Sequence, residues 1–199
     1  SDILTRREDR QHAPLSLMQQ RLYFLESITP GTPVYNTPSA HRLTGEMNEA
    51  AFQRAFDQLC QRQPILRTVI RTDDQGMPQQ TVLDSLDVSL FPAVDLANLS
   101  GQAQEEALRE AIDSLAQEPI PLHSTPLFRT RMFRLAQDRH VWFFMPHHII
   151  WDGWSFDLLY QEMARLYEHQ LANPGADSPL PPLAVDYGDF ALWHHRFLQ

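Results

Sequence analysis

The 199-residue chain is 43% hydrophobic and 21% charged, with a formal net charge of −9 at pH 7. Such a composition is typical of a soluble globular protein with a buried core, and the acid excess disfavours nucleic-acid binding, which needs a basic face. No apolar run approaches the roughly 18 residues of a membrane span, and the first residues contain no apolar signal core. The sequence therefore predicts a cytoplasmic protein that contacts neither nucleic acid nor membrane.

The first part of the chain alternates between helical and extended patterns. Residues 1–13 are polar and are predicted as a leader or linker, whereas residues 14–199 are predicted as a folded lobe. Ser16 is a suitable N-cap for a short apolar helix. Asn48 is a suitable N-cap for a second helix, whose apolar residues recur at i, i+3, i+4 and i+7. Between the two helices, residues 34–43 are predicted to be extended.

Three extended segments follow the second helix. Residues 65–72 are rich in β-branched side chains, which favours a strand. The Asp-Asp-Gln-Gly sequence at residues 73–76 predicts a hairpin turn into residues 78–83. Residues 88–92 are predicted as one further short strand.

The second half of the chain predicts two helices on either side of a pair of strands. Ser100 begins the first of these helices. Residues 127–135 and 140–145 are predicted as strands, and the second is apolar on both faces, as in a covered central strand. Ser155 is predicted to cap a helix that runs to about Gln170.

The last part of the chain is rich in proline and then in aromatic residues. Residues 173–182 are predicted as a surface loop. Residues 185–199 are predicted as an aromatic helical stretch in which Phe190, Trp193 and Phe197 form a stripe. The overall pattern predicts an α+β fold, with helices packed against a mixed β-sheet.

Residues 145–155, Met-Pro-His-His-Ile-Ile-Trp-Asp-Gly-Trp-Ser, concentrate the titratable groups that could support chemistry. A histidine at the end of a buried strand can take or give a proton near neutral pH. The carboxylate of Asp152 could fix the ring or the loop, and Gly153 allows backbone angles closed to other residues. This segment is therefore the candidate active loop.

Several roles for His147 and His148 remain open on these residues alone. Adjacent side chains point to opposite faces of a strand, so one of the two could serve the core. A metal site would combine one of them with Asp152 and His194 or His195, but no Cys or His-x3-His pair supports it. A covalent acyl-enzyme lacks a nucleophile, because no Gly-x-Ser-x-Gly elbow is present and the one cysteine lies in an apolar helical pattern. Direct transfer between two bound substrates is the favoured reaction.

The His-His-x-x-x-Asp-Gly pattern of residues 147–153 resembles the signature of nonribosomal peptide synthetase condensation domains, in the chloramphenicol acetyltransferase-like superfamily. Three further segments resemble motifs of that family, in the same order. Residues 16–25 are similar to Ser-x-Ala-Gln-x-Arg-Leu-Trp-x-Leu, residues 62–70 to Arg-His-Glu-x-Leu-Arg-Thr-x-Phe, and residues 187–193 to Tyr-x-Asp-Phe-Ala-x-Trp. Met18 replaces Ala of the first motif, and Gln63-Pro64 replaces His-Glu of the second.

The resemblance covers the N-terminal half of the family pattern, since the later motifs are absent. It implies a chloramphenicol acetyltransferase-like fold of two lobes, of which this chain is the N-terminal lobe. It also implies amide bond formation between a donor acyl thioester and an acceptor aminoacyl thioester. Both substrates would be carried on the phosphopantetheine arms of carrier proteins, with no cofactor bound directly and no metal.

The resemblance implies a role for each residue of the loop. His148 would be the catalytic histidine that orients or deprotonates the amine, and His147 would support the loop. Asp152 would pair with an arginine, for which Arg62 is preferred over Arg67. Gly153 would let the acceptor arm pass close to the backbone, and the adjoining Trp154 and Ser155 would support the loop.

Because the resemblance ends early, it implies a lobe that is inactive on its own. Its partners would be the C-terminal lobe, donor and acceptor carrier proteins and an adjacent adenylation domain. The aromatic stripe near the end would be a severed interface or would be covered by self-association. The alternatives are a non-catalytic module that docks carrier proteins or recruits a tailoring enzyme, and an epimerization or ester-forming relative with the same signature.

Overall fold

A computed structural model describes residues 3–124, 126–151 and 154–198 of the chain. The α-helices are α1 (Leu17–Ile28), α2 (Glu49–Arg62), α3 (Gly101–Ala116), α4 (Phe156–Ala172) and α5 (Tyr187–Phe197). The strands are β1 (His12–Pro14), β2 (Ser39–Thr44), β3 (Thr68–Thr72), β4 (Pro78–Val82), β5 (Val94–Asp95), β6 (Phe128–Ala136) and β7 (Arg139–Pro146). Short 3₁₀ turns cover Pro33–Tyr35, Pro64–Arg67 and His148–Ile150. Within the described residues, no helix is both long and apolar enough to cross a bilayer.

The strands form two sheets rather than one. The smaller sheet has the order β1-β4-β3 and is antiparallel. The larger sheet has the order β2-β7-β6-β5, in which β5 runs parallel to β6 and the other neighbours are antiparallel. Strand β7 lies inside this sheet and is buried from His140 to Pro146, so the prediction of a strand covered on both faces is confirmed.

Helix α2 packs its predicted apolar stripe against the larger sheet. Phe52, Ala55, Phe56 and Leu59 are all buried. The rings of Phe52 and Phe56 meet the indole of Trp142 edge to face, at centroid distances of 5.5 and 6.0 Å. Each large apolar side chain buried in this way stabilises the fold by about 1.5–3 kcal/mol. The packing fixes β7, and with it the position of the loop that follows.

The prediction of a strand at residues 88–92 is wrong, because the strand that follows β4 is β5. Helix α2 explains the difference, because one of its side chains bonds the backbone there. Gln53 accepts a hydrogen bond from the Leu90 N–H (2.7 Å) and donates one to the Val88 carbonyl (2.9 Å). These two backbone groups are therefore satisfied without a neighbouring strand.

Two other segments predicted as extended begin with a 3₁₀ turn. The predicted strand over residues 65–72 is extended only from Thr68, and the predicted extended segment over residues 34–43 forms strand β2 only from Ser39. Each turn starts with a proline, whose fixed φ and missing N–H suit the first helical position. The local β-branched composition did not reveal these turns.

The first residues of the chain pack against its last helix. Arg7 is 7% exposed and donates hydrogen bonds to the carboxylates of Asp186 and Asp189, which lie at the start of α5. Arg10 is bonded to the same two carboxylates. The division of the chain at residue 13 stays a prediction, but the predicted linker is not detached from the lobe. A contact over such a sequence distance leaves no local pattern from which it could be predicted.

Candidate active site

The loop with the double histidine begins where β7 ends. His147 is the N-cap of the 3₁₀ turn His148–Ile150, and its Nδ1 accepts the backbone N–H of Ile149 at 3.0 Å. The backbone N–H of His147 donates to the Leu127 carbonyl at 2.9 Å. His147 is thus built into the turn through both its ring and its backbone.

The two adjacent histidines lie in different environments. His147 is 1% exposed, whereas the side chain of His148 is exposed. The two residues flanking the pair, Pro146 and Ile149, are also buried. The residues around His148 are therefore buried, whereas the His148 side chain is exposed to solvent, where a ligand can reach it.

Burial holds His147 in its neutral form. Removal from water, together with the nearby His148, lowers the pKa of His147 to about 4. A neutral imidazole carries one ring proton. Because Nδ1 accepts the Ile149 N–H, that proton is assigned to Nε2. His147 is therefore a fixed hydrogen-bond donor at neutral pH and unsuited to proton exchange with a substrate.

The buried neutral His147 should make the lobe less stable in mild acid. Its pKa is about 4 in the fold and 6.5 ordinarily. The unfolded chain therefore binds more protons between these values, and stability is lost as the pH falls through this window. The full shift corresponds to about 3 kcal/mol. Urea unfolding of the wild type and of His147→Asn should give a stability difference that shrinks by about 2 kcal/mol between about pH 7.5 and about pH 4.5.

The neighbours Glu26 and His148 are present in both of these proteins. Because Glu26 lies 3.7 Å from the His147 ring, the difference reports the titration of His147 together with its effect on that carboxyl group. A stability difference that stays constant over this pH range would contradict the assignment of His147 as a buried neutral ring.

Helix α1 holds the turn through the buried side chain of Gln19. In the sequence this residue was noted only as part of the first motif. Gln19 is 0% exposed, and its Nε2 donates to the Ile149 carbonyl at 3.0 Å. Its Oε1 accepts the N–H of Ser16 (3.0 Å), while the Ser16 hydroxyl accepts the N–H of Gln19 (3.2 Å). The Ser-x-x-Gln spacing of this capping box was the local signal available. Gln19 thus completes the capping box of α1 and also fixes the 3₁₀ turn in which His148 lies.

Replacing Gln19 by Glu should damage the turn while keeping the helix start. Glutamate at this position can still accept the Ser16 N–H, but it cannot donate to the Ile149 carbonyl. A buried acceptor left without a donor costs about 1–3 kcal/mol, which urea unfolding would measure. The matched control is Gln20→Ala, which removes an amide from the exposed neighbour and should cost less than about 1 kcal/mol. Equal losses of unfolding free energy in the two variants would show that the Gln19–Ile149 bond contributes nothing particular to stability.

The two arginines predicted to pair with Asp152 have described partners elsewhere. Arg62 bonds Glu162 of α4 at 2.8 Å and donates to the Pro181 carbonyl at 3.0 Å. Arg67 donates to backbone carbonyls, including that of Cys60 at 2.9 Å. Asp152 itself lies outside the described residues, as does Gly153. The predicted Asp152–arginine pair and the predicted role of Gly153 therefore stay predictions.

Trp154 and Ser155 lie just before α4. Trp154 is half-buried, with its ring centroid 5.3 Å from that of Trp151. Ser155 is the N-cap of α4 and accepts the Leu158 N–H at 3.2 Å, so the predicted cap is confirmed. These contacts fix where the chain leaves the loop.

The described residues bear on two of the alternatives, a metal site and a cysteine nucleophile. In residues 3–124, 126–151 and 154–198, no three His, Cys, Asp or Glu side chains are grouped to hold a metal ion. The side chain of Cys60 is buried, and burial raises the pKa of its thiol to about 12. Because the thiolate is the nucleophilic form, Cys60 is an unsuitable nucleophile.

Known proteins with similar sequences align with this chain over nearly its whole length. The chain is 37% identical over 197 residues to phosphinothricin tripeptide synthetase PhsC of Streptomyces viridochromogenes, covering 99% of this chain and 18% of that protein. It is 35% identical over 199 residues to malpibaldin synthetase of Mortierella alpina, covering 100% of this chain and 4% of that protein. The chain therefore spans less than a fifth of these relatives.

Solved structures show the same fold. The X-domain in its complex with OxyB from teicoplanin biosynthesis superimposes with a TM-score of 0.84 at 26% identity, covering 98% of this chain and 40% of that chain. The first condensation domain of the CDA synthetase superimposes with a TM-score of 0.74 at 20% identity, covering 86% of this chain and 43% of that chain. The predicted α+β fold is confirmed.

The family model described as "Condensation domain" matches residues 9–199, which include all four of the motifs found in the sequence. With that match and relatives more than 30% identical over nearly its whole length, the chain belongs to the condensation-domain family of nonribosomal peptide synthetases.

Proposed function

We propose that this chain is the lobe of a condensation domain that presents the catalytic histidine, His148. The complete domain would join a donor acyl thioester to an acceptor aminoacyl thioester, each on the phosphopantetheine arm of a carrier protein in the cytoplasm. Its further partners would be a C-terminal lobe and an adjacent adenylation domain. The observation that supports this most strongly is the exposed His148 on a turn whose neighbouring residues are buried and hydrogen-bonded.

The proposed step needs one proton acceptor near the attacking amine. The amine nitrogen forms a bond to the thioester carbonyl carbon, the carbon–sulfur bond breaks, and the proton lost from nitrogen ends on the departing sulfur. The His148 ring would take that proton or hold the amine so that its lone pair faces the carbon. General-base catalysis of this kind contributes on the order of 10²–10⁴-fold. His147 remains neutral and fixes the turn.

The lobe alone should form no amide above the uncatalysed background. Holding two substrates in reacting geometry supplies much of the rate of such a transfer, and in this chain the His148 side chain is exposed. The chain covers 43% of a solved condensation domain, and Phe197 on the last helix is 63% exposed, which is consistent with a second lobe that covers the end of α5. Product formation should be measured by mass spectrometry with both carrier proteins loaded.

The complete domain is the positive control in that assay and should convert the same substrates. A rate for the isolated chain equal to that of the complete domain would remove the need for a second lobe. No amide from the complete domain would overturn the proposed function.

A recruitment module is the second candidate. The superposition with an X-domain solved in complex with OxyB supports it, since that domain binds another protein. A complete domain that binds a tailoring enzyme but yields no amide would favour this candidate. An epimerization or ester-forming relative would be recognised in the same assay, by an inverted α-carbon or by product formed only from a hydroxyl acceptor.

A further inference from the structure

A half-buried acid on α1, Glu26, lies next to the buried histidine of the loop. Glu26 Oε2 and His147 Nε2 are 3.7 Å apart, and their side chains are 11% and 1% exposed. Neither atom has a hydrogen-bond partner among the residues that the structure describes. Buried polar atoms are satisfied in most folded proteins, so two such atoms side by side need an explanation.

The two atoms are complementary in chemistry. His147 Nδ1 accepts the Ile149 N–H, which leaves Nε2 as the ring atom that carries a proton and can donate it. The Glu26 carboxylate can only accept. A closing movement of about 0.5–1 Å brings the pair within normal hydrogen-bond distance. The ring of Tyr35, 6.0 Å from that of His147, lies against the same imidazole.

We propose that Glu26 is a positioning residue, which accepts the Nε2 proton of His147 and so fixes the turn that presents His148. This inference rests on the proposed function of His148. Helix α1 would then hold the loop at two points, through Gln19 on the Ile149 carbonyl and through Glu26 on the His147 ring. The bond would give an acceptor to the ring proton that the Ile149 N–H already assigns to Nε2.

The electrostatics of Glu26 agree with this role. Burial raises the pKa of its carboxyl group, against a smaller lowering by the backbone N–H of Gly31. The carboxylate is therefore poorly solvated, and a nearby N–H donor would stabilise it. Among the described residues, the ring of His147 places such a donor within reach.

The test compares Glu26→Gln with Glu26→Leu in the complete condensation domain. Glutamine keeps an acceptor oxygen, whereas leucine keeps the volume and removes the acceptor. Glu26→Leu should lower kcat roughly 10–100-fold through misplacement of His148, with the KM for the donor carrier protein unchanged. Glu26→Gln should stay within about threefold of the wild type, because the acceptor is retained. The matched control is Glu168→Leu, which alters an exposed acid on α4.

The ¹H and ¹⁵N shifts of the His147 ring give a second readout. They respond directly to a hydrogen bond at Nε2, and a general loss of stability would not change them in this way. Wild type and Glu26→Gln should show the downfield shifts of a hydrogen-bonded Nε2–H, and Glu26→Leu should lose them, while all three proteins keep the Nε2–H tautomer that the Ile149 N–H fixes. Equal kcat in wild type and Glu26→Leu, or an equal loss in both Glu26 variants, would overturn the proposal. If Glu26→Leu does not fold, Glu26→Asp, whose side chain is shorter by one methylene, moves the acceptor out of reach and should lose the same downfield shifts.

The shifts of the His147 ring also separate this inference from the proposed function. If the wild-type domain forms no amide, the proposed function fails, and the ring resonances alone decide on Glu26. Loss of the downfield Nε2–H shifts in Glu26→Leu would then support the bond to His147, and unchanged shifts would overturn it.

Discussion

Replacing Asp189 by Ala should destabilise the lobe by about 3–5 kcal/mol, the cost of breaking a buried ion pair from one side. Asp189 is 0% exposed at its side chain. Its Oδ1 accepts the backbone N–H of Arg7 (2.9 Å), Nη1 of Arg7 (2.8 Å) and Nη1 of Arg10 (2.7 Å). Its Oδ2 accepts the Asp186 N–H at the start of α5 (2.9 Å). Without this carboxylate, the buried Arg7 guanidinium loses half of its countercharge and α5 loses part of its cap.

The titration of Asp189 agrees with an ionised side chain. Burial by itself raises the pKa of this carboxyl group, but the hydrogen bonds from Arg7, from Arg10 and from the Asp186 backbone together outweigh burial, so that the pKa is lowered. A lowered pKa means that the contribution of Asp189 is present above the ordinary pKa and is lost as the pH falls below it. Urea unfolding near neutral pH should therefore show the full loss.

Two variants control this experiment. Asp113→Ala removes an exposed carboxylate from α3 and should change the stability by less than about 0.5 kcal/mol. Gly188→Ala leaves both carboxylates in place, but its new Cβ would lie 2.6 Å from Cζ of Arg7, so the guanidinium would have to move. It should therefore destabilise in the same direction as Asp189→Ala. An Asp189→Ala protein within about 1 kcal/mol of wild type would contradict the role of this cluster.

Features of the fold that depend on residues close together in the sequence could be predicted from it. Ser16, Asn48 and Ser155 each have a side chain that caps the next helix, and each cap was confirmed. The ion cluster could not be predicted, because Arg7 and Asp189 are 182 residues apart. The position of β5 depends in the same way on Gln53 of a distant helix.

The same distinction applies to the candidate site. The adjacent histidines were visible as a motif, but which of them is buried depends on where β7 ends and the 3₁₀ turn begins. The bond from Gln19 to the Ile149 carbonyl joins residues 130 positions apart. The contact between Glu26 and His147 also crosses from α1 to the loop. The motif of the loop was therefore visible in the sequence, and the side chains that hold the loop were not.

Replacing His148 by Ala in the complete domain should lower the rate of amide formation roughly 10²–10⁴-fold. The stability should change by less than about 0.5 kcal/mol, because His148 is exposed and no hydrogen bond of its ring to the described residues is seen. His147→Ala should instead remove the cap of the turn, which costs about 0.5–2 kcal/mol. These two variants would thus distinguish a catalytic role of His148 from a structural role of His147.

The most direct measurement is the single-turnover rate of amide formation by the complete domain, with donor and acceptor carrier proteins loaded in advance. Preloading isolates bond formation from the exchange of carriers. His123→Ala, which removes another exposed histidine, is the matched control and should keep the wild-type rate. We expect His148→Ala to lose at least about 10²-fold with an unchanged unfolding midpoint. A His148→Ala domain that forms the amide at the wild-type rate would contradict the assignment of His148 as the catalytic residue.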